Sequence, residues 1–456
     1  MISALKPYPA YKDSGVLWLG EVPEKWDILP AFAVYKPRQV KNKGMLEKAV
    51  LSLSYGRIIV KPSEKLRGLV PESFETYQII DPGNIIVRTT DLQNDHTSLR
   101  IGHSKDRGII TSAYMCLETT DRVSNEFGYQ FLNTYDLLKI IYGFGSGLRQ
   151  NLDFADIKRM PVLVPSKDEQ SAIVRFLDHA DRRIKHYIRA KQKLIRLLEE
   201  QKQGIISRAV TRGLPSTSSG QATPNVRLKP SGVEWLGDVP EHWEVKRLKW
   251  VTRLQRGYDL PAEQRIPGSF PVVSSGGIIG THSESQSNGP GVVIGRYGST
   301  DAVFFIESDF WPHNTALFVT DFQGNRPRWC YFMLRTISKA DHSGKSAVPG
   351  VDRKDLYEIE VSVPPVYVQD TIVSVFDNAL EWLDRAVTGT QREISLLREY
   401  HTRLIADVVT GKLDVREAAA KLPDETDELG DEGSLSGGED DTEGTDLDAV
   451  PEEAEA

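Results

Sequence analysis

Three short fragments have residue types and spacings that could serve chemistry. Residues 143–147 read GFGSG, a Gly-x-Gly-x-Gly pattern like that of a loop holding a dinucleotide or a methyl donor. Residues 343–346 read SGKS, which resembles the end of a phosphate-binding loop. Glu200 and Lys202 have the Glu-x-Lys spacing of a nuclease fragment. The elements around each fragment decide whether it can act.

Those surroundings argue against catalysis. The segment before GFGSG is predicted to be a helix rather than a strand, and no acidic residue ends a following strand at the required distance. The position five residues before Gly344 is Lys339 instead of glycine, so a phosphate loop cannot form there. Glu200 and Lys202 lie in a long predicted helix, where charged residues are expected on the solvent-exposed face. We therefore expect no catalytic residues, no metal site and no cofactor in this chain.

Two long segments, called the bodies below, have turns that suit nucleic acid. These turns combine Gly, Ser, Thr, Asn and Gln with isolated Arg and Lys, which can approach phosphates and present amide and guanidinium groups to base edges. The candidate DNA-binding residues of the first body are Arg57, Arg88, Thr89, Thr90, Asp91, Asn94, Arg107, Ser112, Arg149 and Gln150. Those of the second body are Ser275, Arg296, Tyr297, Ser299, His313, Asn314, Lys345 and Arg353. Asp153 and Asp352 are instead expected to cap or brace the chain where it leaves each body.

An internal duplication organises the chain around these bodies. The 15-residue head SGVLWLGEVPEKWDI at Ser14–Ile28 returns as SGVEWLGDVPEHWEV at Ser231–Val245, with ten identical positions. A repeat this dense fixes the architecture before any secondary structure is assigned. The bodies after the two heads differ in sequence and length. We infer two modules that do the same kind of work on different targets.

Each body leads into a long helical stretch, called a rod below, and the two rods align without a gap (166–214 and 365–413). Apolar residues recur every three or four positions, the pattern of a coiled-coil seam. Lys191 and Gln201 interrupt the first stripe, and Thr390 and Glu393 the second. A helix of about 65 Å with one apolar stripe needs a partner, and the other rod is the obvious one. The residues expected in helix pairing or partner contact are Ile173, Leu177, Ile184, Leu194, Leu198, Ile372, Phe376, Leu383, Leu397 and Leu404.

The resulting fold class is α/β (α+β), with two tandem domains that are each followed by a long helix. Runs at 82–90 and 290–300 are predicted strands, as are 109–118 and 311–320, and helices are predicted at 129–142 and 328–339. The expected boundaries are 1–165 for the first domain, 166–214 for the first helix, 215–230 for a linker, 231–364 for the second domain, 365–416 for the second helix and 417–456 for a disordered acidic tail.

Charge and cysteine content set further limits. From Glu417 onward there are sixteen acidic residues and one lysine, so this tail has a net charge of −15. Because the whole chain has a net charge of −8, the rest of the chain has a net charge of +7. A mildly basic folded part is compatible with a polyanionic partner. Cys116 and Cys330 form no CxxC motif, which indicates a reducing, cytoplasmic setting. The first residues lack the apolar core of a signal peptide, and we expect no membrane association.

The chain resembles the specificity (S) subunit of a type I restriction–modification system. The resemblance is carried by the repeated SGVxWLGxVPExW heads, by LSLSYGRIIV, RTTDLQND and ITSAY in the first body, by GRYGST and WPHNTALFV in the second, and by the paired VP…Q…IV…D rods. This resemblance covers residues 10–416. It implies that each body is a target recognition domain for half of a bipartite DNA site. It also implies that the rods pair as an antiparallel coiled coil and set the spacing of the two halves.

The resemblance further implies partners. Two modification subunits would supply S-adenosylmethionine and methylate adenine, and restriction subunits would add ATP- and Mg-dependent translocation and cleavage, in defence against foreign DNA. This chain would then be a non-catalytic part of the enzyme complex. An alternative stays open: a coiled-coil scaffold whose two domains bind ligands other than DNA.

Overall fold

The computed structural model describes residues 5–62, 73–90, 92, 95, 98–144, 151–214, 227–297, 302–337 and 350–423. The chain forms two compact units. Unit 1 is Met1–Ile188 with Ser395–Ala456, and unit 2 is Arg189–Ile394. Each unit contains one head, one body and a segment of each rod.

The elements alternate between short strands and helices in both halves of the chain. The strands are β1 (Tyr11–Asp13), β2 (Glu21–Pro23), β3 (Asp27–Pro30), β4 (Tyr35–Arg38), β5 (Leu51–Ser54), β6 (Arg57–Val60), β7 (Gln78–Ile80), β8 (Ile85–Val87), β9 (Ile101–His103), β10 (Gly108–Ile110), β11 (Met115–Thr119), β12 (Pro161–Val164), β13 (Leu228–Pro230), β14 (Asp238–Pro240), β15 (Glu244–Arg247), β16 (Arg253–Arg256), β17 (Phe270–Ser274), β18 (Gly277–His282), β19 (Gly291–Gly295), β20 (Val303–Ile306), β21 (Trp311–Pro312), β22 (Ala316–Asp321) and β23 (Glu360–Val363). The helices are α1 (Ala31–Val34), α2 (Asn125–Leu137), α3 (Phe154–Ile157), α4 (Lys167–Arg212), α5 (Pro327–Thr336), α6 (Arg353–Glu358), α7 (Val366–Val409) and α8 (Arg416–Ala420).

The same antiparallel four-stranded sheet lies at the centre of each body. Its order is β4-β11-β8-β9 in unit 1 and β16-β22-β19-β20 in unit 2. The central strands β8 and β19 are buried along their whole length, so they carry β-branched residues rather than an apolar–polar alternation. The duplication that was predicted from the heads therefore extends through the bodies, although their sequences have diverged.

The strands predicted at 109–118 and 311–320 are each interrupted by a turn. The first divides into β10 and β11, and the second divides into β21 and β22. The turns close through Tyr114 N donating to Thr111 O and Ala316 N donating to His313 O. These backbone bonds redirect the chain, so the polar residues of the turns leave the sheet.

The two rods are the helices α4 and α7, and each helix contributes to both units. In unit 2, Lys191 forms an ion pair with Glu393 and Lys202 with Asp384, so the two helices run antiparallel there. In unit 1, His401 Nε2 lies 3.2 Å from Asp181 Oδ1. Two of the polar residues that interrupt the apolar stripes, Lys191 and Glu393, thus pair with each other.

Most of the predicted seam residues are buried, but the other rod is not their sole cover. In unit 1 the core that holds Ile173 and Leu177 also contains Phe131 of α2. In unit 2 the ring of Phe376 packs edge-on against Phe332 of α5 at 4.7 Å between ring centroids. The buried seam residues are Ile173, Leu177, Ile184, Ile372, Phe376, Leu383 and Leu404, while Leu198 and Leu397 are partly buried. Leu194 departs from the expected seam, because its side chain is 44% exposed.

The second rod ends earlier than predicted. Helix α7 stops at Val409 instead of 416, because Gly411 adopts a left-handed φ of 77° that ends a helix. The chain then forms α8, whose Ala419 is buried, so packed structure continues past the predicted tail boundary at 417. Arg175 of α4 donates to Leu422 O at 2.8 Å and holds this segment on unit 1. The acidic residues 424–456 and the linker 215–226 lie outside the described residues.

Within the described part of the chain, every helix is too short or too polar to span a membrane.

Candidate nucleic-acid interface

Three segments meet at one edge of the central sheet in each body. In the first body, Thr89 at the end of β8 donates its Oγ1 hydrogen to Ala113 O in the β10–β11 turn (2.8 Å). The carbonyl of Thr89 accepts from Leu152 N, just before α3. In the second body, Arg296 N donates to Thr315 O, and Arg296 O accepts from Val351 N just before α6. The residues predicted to contact DNA are concentrated on these segments.

Strand register relates the two bodies residue by residue. Val87 pairs with Met115 and Ile101, and Ile294 pairs with Leu317 and Val303. Two residues after each, Thr89 O accepts from Leu152 N and Arg296 O accepts from Val351 N, so these positions correspond. Thr89 then occupies the place of Arg296. By the same register Ser112 corresponds to Asn314, and Arg88 corresponds to Gly295. The arginines of the two similar sequence runs are therefore not equivalent.

The second body has an open pocket of about 630 Å³ at this edge. Its lining combines four cationic side chains with Tyr258, Asn314 and two carboxylates. The lining residues are Gln255, Arg256, Gly257, Tyr258, Asp259, Arg296, Asn314, Leu317, Asp352, Arg353 and Lys354. A site with this excess of positive charge and with mixed donors and acceptors matches the phosphates and base edges of DNA.

Two side chains of the pocket are held in defined orientations. The guanidinium of Arg296 stacks on the ring of Tyr297 at 4.4 Å from the centroid. Asn314 donates through Nδ2 to Asp259 Oδ1 at 2.5 Å. A carboxylate accepts and does not donate, so Asp259 fixes which end of the Asn314 amide is the donor. An amide oriented in this way can still form the paired bonds by which Asn reads adenine.

His313 and Ser275 both contact the hydroxyl of Thr315 in the β21–β22 turn. His313 Nδ1 lies 3.1 Å from Thr315 Oγ1, which also accepts from Ser275 N. Burial, with the charge of Arg265, lowers the pKa of His313 below its usual value, so its ring is neutral at pH 7. Asp352 caps α6 by accepting from Lys354 N, and Asp153 caps α3 by accepting from Phe154 N, the bracing expected for both aspartates.

In the first body a buried arginine organises the corresponding edge. Arg100 is fully buried, and it donates to the carbonyls of Thr90 (2.6 Å) and Asp95 (2.7 Å). Asp95 lies 3.7 Å from Arg88, measured between a carboxylate oxygen and a guanidinium nitrogen. Arg100 thus joins Thr90 and Asp95, two described residues of the β8–β9 connection. Arg88, Thr89 and Thr90 all belong to this connection.

Of the other predicted residues of the first body, Arg57 and Arg107 lie outside the three segments, whereas Ser112 lies in one of them, the β10–β11 turn. Arg107 forms ion pairs with Asp81 (2.6 Å) and Glu47 (3.5 Å). Arg57 is exposed at the start of β6. Ser112 is exposed in the β10–β11 turn, and its hydroxyl donates to Thr76 O. The predicted residues Asp91, Asn94, Arg149, Gln150, Ser299 and Lys345 lie outside the described residues.

Sequence reasoning missed Arg256, Tyr258, Asp259 and Lys354, which line the pocket. Gly257 carried the one available signal. A Cβ at this position would lie 2.2 Å from His313 O, so only glycine lets β16 approach the β21–β22 turn. A glycine between Arg256 and Tyr258 in the run RGYD therefore marks a close backbone approach.

The described residues contain no group of His, Cys, Asp and Glu that could hold a metal ion. Both cysteines are buried and free. Burial raises the pKa of Cys116 to about 12 and also raises that of Cys330, so both thiols stay protonated and unreactive at neutral pH.

The sequence of this chain is similar to those of known proteins. The type I restriction modification DNA specificity domain matches residues 39–194 and 240–395. Over 166 residues the chain is 26% identical to the type I restriction enzyme EcoprrI specificity subunit of Escherichia coli, a match that covers 35% of this chain and 41% of that one. The match thus spans about two fifths of the length of that curated relative.

A solved structure shows the same fold. A chain from a structure of the type I R-M system has a TM-score of 0.61 at 14% identity, with 86% of this chain and 99% of that chain covered. The HsdS subunit from Thermoanaerobacter tengcongensis is similar at 0.43 and 14% identity over 86% of this chain and 98% of that one, too low a TM-score to support an argument. Because the family model matches more than half of the chain, once in each repeat, the chain belongs to the family of type I restriction modification DNA specificity domains.

Proposed function

We propose that the chain is the DNA-recognition subunit of a type I restriction–modification complex, in which each body reads one half of a bipartite site. The observation that carries this proposal is the meeting of the same three segments in both bodies, lined in the second by Arg256, Arg296, Arg353 and Lys354. Phosphate contacts from such cations position a protein on DNA, and neighbouring amides read bases.

The chain itself contributes no catalysis in this proposal. Two modification subunits bind it and carry S-adenosylmethionine, and restriction subunits carry ATP and Mg. Apolar side chains left exposed on the rods support docking of other subunits. In unit 2 these include Leu194 (44%), Leu197 (51%) and Trp382 (52%). Exposed apolar surface of this kind is typical of protein–protein contact.

The paired rods set the distance between the half-sites. Their polar pair Lys191–Glu393 fixes the register of the helices in unit 2, because a one-residue slip would separate these two charges. A fixed register keeps the read bases at a fixed phase on the duplex, whose turn is about 34–36 Å.

The test is co-expression with the neighbouring modification subunit, followed by genome-wide mapping of methylated adenines. We expect one bipartite motif with an unread spacer of constant length. A continuous motif, or the absence of any motif with a catalytically competent partner, would contradict the proposal. The scaffold alternative predicts no duplex binding, or binding that does not weaken with salt, whereas phosphate contacts lose affinity steeply as salt rises.

A further inference from the structure

One glutamine joins each rod to its body in the same way in both units. Gln170 is the fourth residue of α4, and Gln369 is the fourth residue of α7. Their exposures are 1% and 0%. A buried amide must find partners for its donors and acceptor, so its contacts identify what it holds together.

The oxygen of each amide binds the start of a body helix. Gln170 Oε1 accepts from Ser124 N at 2.8 Å, and Gln369 Oε1 accepts from Arg326 N at 2.8 Å. Ser124 is the N-cap residue of α2, and Arg326 is the N-cap residue of α5. These N–H groups have no partner within their own helices.

The nitrogen of each amide binds the end of the strand that leads into the rod and a residue just before the body helix. Gln170 Nε2 donates to Pro165 O (2.9 Å) and Arg122 O (3.0 Å). Gln369 Nε2 donates to Pro364 O (3.0 Å) and to Asn325 Oδ1 (2.8 Å). Three hydrogen bonds from one rigid amide thus join the rod, the last strand and the body helix. The same construction persists in two bodies that have otherwise diverged.

We propose that Gln170 and Gln369 are positioning residues that lock each body at a fixed angle to its rod, and thereby restrict the complex to one spacer length. This proposal rests on the proposed function. Adding one base pair to the spacer shifts a half-site by about 3.4 Å and rotates it by about 35°. Across a body of about 30 Å, a tilt of about 6° at the joint produces the shift. The rotation must be taken up by a change of twist spread over the unread spacer DNA, which duplexes allow at a deformation cost. A joint without the amide bonds permits such a tilt.

The experiment compares Gln170→Met, Gln369→Met and the double variant in the complete complex with the modification subunits. Methionine has a similar length and volume but cannot form the three bonds. Gln201→Met is the matched control, because Gln201 is an exposed glutamine of the same helix α4. The readout is the methylated fraction of genomic sites whose spacer is one base pair longer or shorter than the wild-type spacer.

We expect at least a threefold rise in methylation of these sites in each single variant, a larger rise in the double variant, and no change in the bases of either half-site. Wild-type spacer discrimination in folded Gln→Met variants would overturn the proposal, as would a changed half-site base. If a methionine variant fails to fold, Gln→Glu tests the same idea, because a buried neutral acid retains one donor and one acceptor. It should show a smaller rise than the loss of all three bonds, and no rise would count against the lock. A wild-type complex without a bipartite motif would refute the proposed function instead.

Discussion

The two bodies share a sheet and differ in the side chains that its edge presents. At corresponding positions the first body has Thr89 and Ser112, whereas the second has Arg296 and Asn314. The hydroxyls of Thr89 and Ser112 donate to carbonyls within the body. Arg296 and Asn314 instead line an open pocket. The sheet is thus the same in both bodies, and the side chains at its edge differ.

The two bodies also differ in where their arginines lie. In the first body Arg100 lies in the interior, where it donates to the carbonyls of Thr90 and Asp95 in the β8–β9 connection. In the second body the cations stay at the edge, at Arg256, Arg296 and Arg353. We infer that the second body contacts DNA through cations of its sheet edge, whereas the first has Thr89 and Ser112 at the corresponding positions.

Arg296→Ala compared with Thr89→Ala should give the largest effect. Loss of a guanidinium that contacts a base costs about 1–3 kcal/mol, which corresponds to roughly 5–150-fold weaker DNA binding. The Thr89 hydroxyl is used within the body, so its removal should change DNA affinity by less than about threefold. Titration of the complex with DNA at a fixed salt concentration measures the affinity of both variants. Arg247→Ala, which removes an exposed pair with Glu358, is the control. Equal losses of DNA affinity in Arg296→Ala and Thr89→Ala would contradict the difference between the two bodies.

Asp259→Asn should give an intermediate effect on one base position. The variant no longer fixes the orientation of the Asn314 amide, so either end of that amide can face a base. We expect one position in a single half-site to become degenerate in the methylation map, with affinity for the original site within about threefold. Ser112→Ala, at the first-body position that corresponds to Asn314, serves as the control and should leave both half-sites unchanged. An unaltered motif in Asp259→Asn would show that the amide does not read a base.

Asp181→Asn should give the smallest effect, on stability instead of recognition. Burial alone would raise the pKa of Asp181, but hydrogen bonds from His401 and Lys185 lower it to about 2. Because this folded-state pKa lies below the ordinary value of about 3.9, the stabilisation is present above pH 4 and is lost as pH falls through 2. Thermal unfolding of wild type and variant should therefore differ at pH 7 and converge toward pH 2. Asp384→Asn, at a pair whose carboxylate side chain is 58% exposed against 33% for Asp181, should cost less. A difference that persists at pH 2 would contradict the assignment.

The heads, the rods and the polar interruptions of the rods could be predicted because they depend on local sequence. The dense repeat at Ser14–Ile28 and Ser231–Val245 indicated a duplication, and apolar spacing indicated two long helices. Helix ends were less predictable. A Cβ at Gly411 would lie 2.4 Å from Pro23 and 3.0 Å from Trp26, so only the packing against the first head shows why the chain leaves the helix at this glycine.

The candidate interface was predictable only in part. Polar turn residues such as His313 and Asn314 could be selected by type, because amides and cations are the groups that contact DNA. Asp259 and Arg256 were not selected, because they come from β16 and its extension, more than fifty residues away along the chain. The sequence similarity of 82–90 and 290–300 also suggests that Arg88 and Arg296 correspond. Strand pairing and backbone hydrogen bonds instead make Arg296 equivalent to Thr89 of the first body.

By itself the sequence determined that the chain is duplicated, that each half consists of a body and a rod, and that the bodies carry DNA-compatible turns. These properties come from residue identity and periodicity, which act over a few helical turns. The tertiary structure alone decided which polar residues share an edge, how Arg100 is used, and that one buried glutamine joins rod and body in both halves. These properties depend on hydrogen bonds between segments far apart in the chain, because a donor and an acceptor must meet in space to satisfy each other.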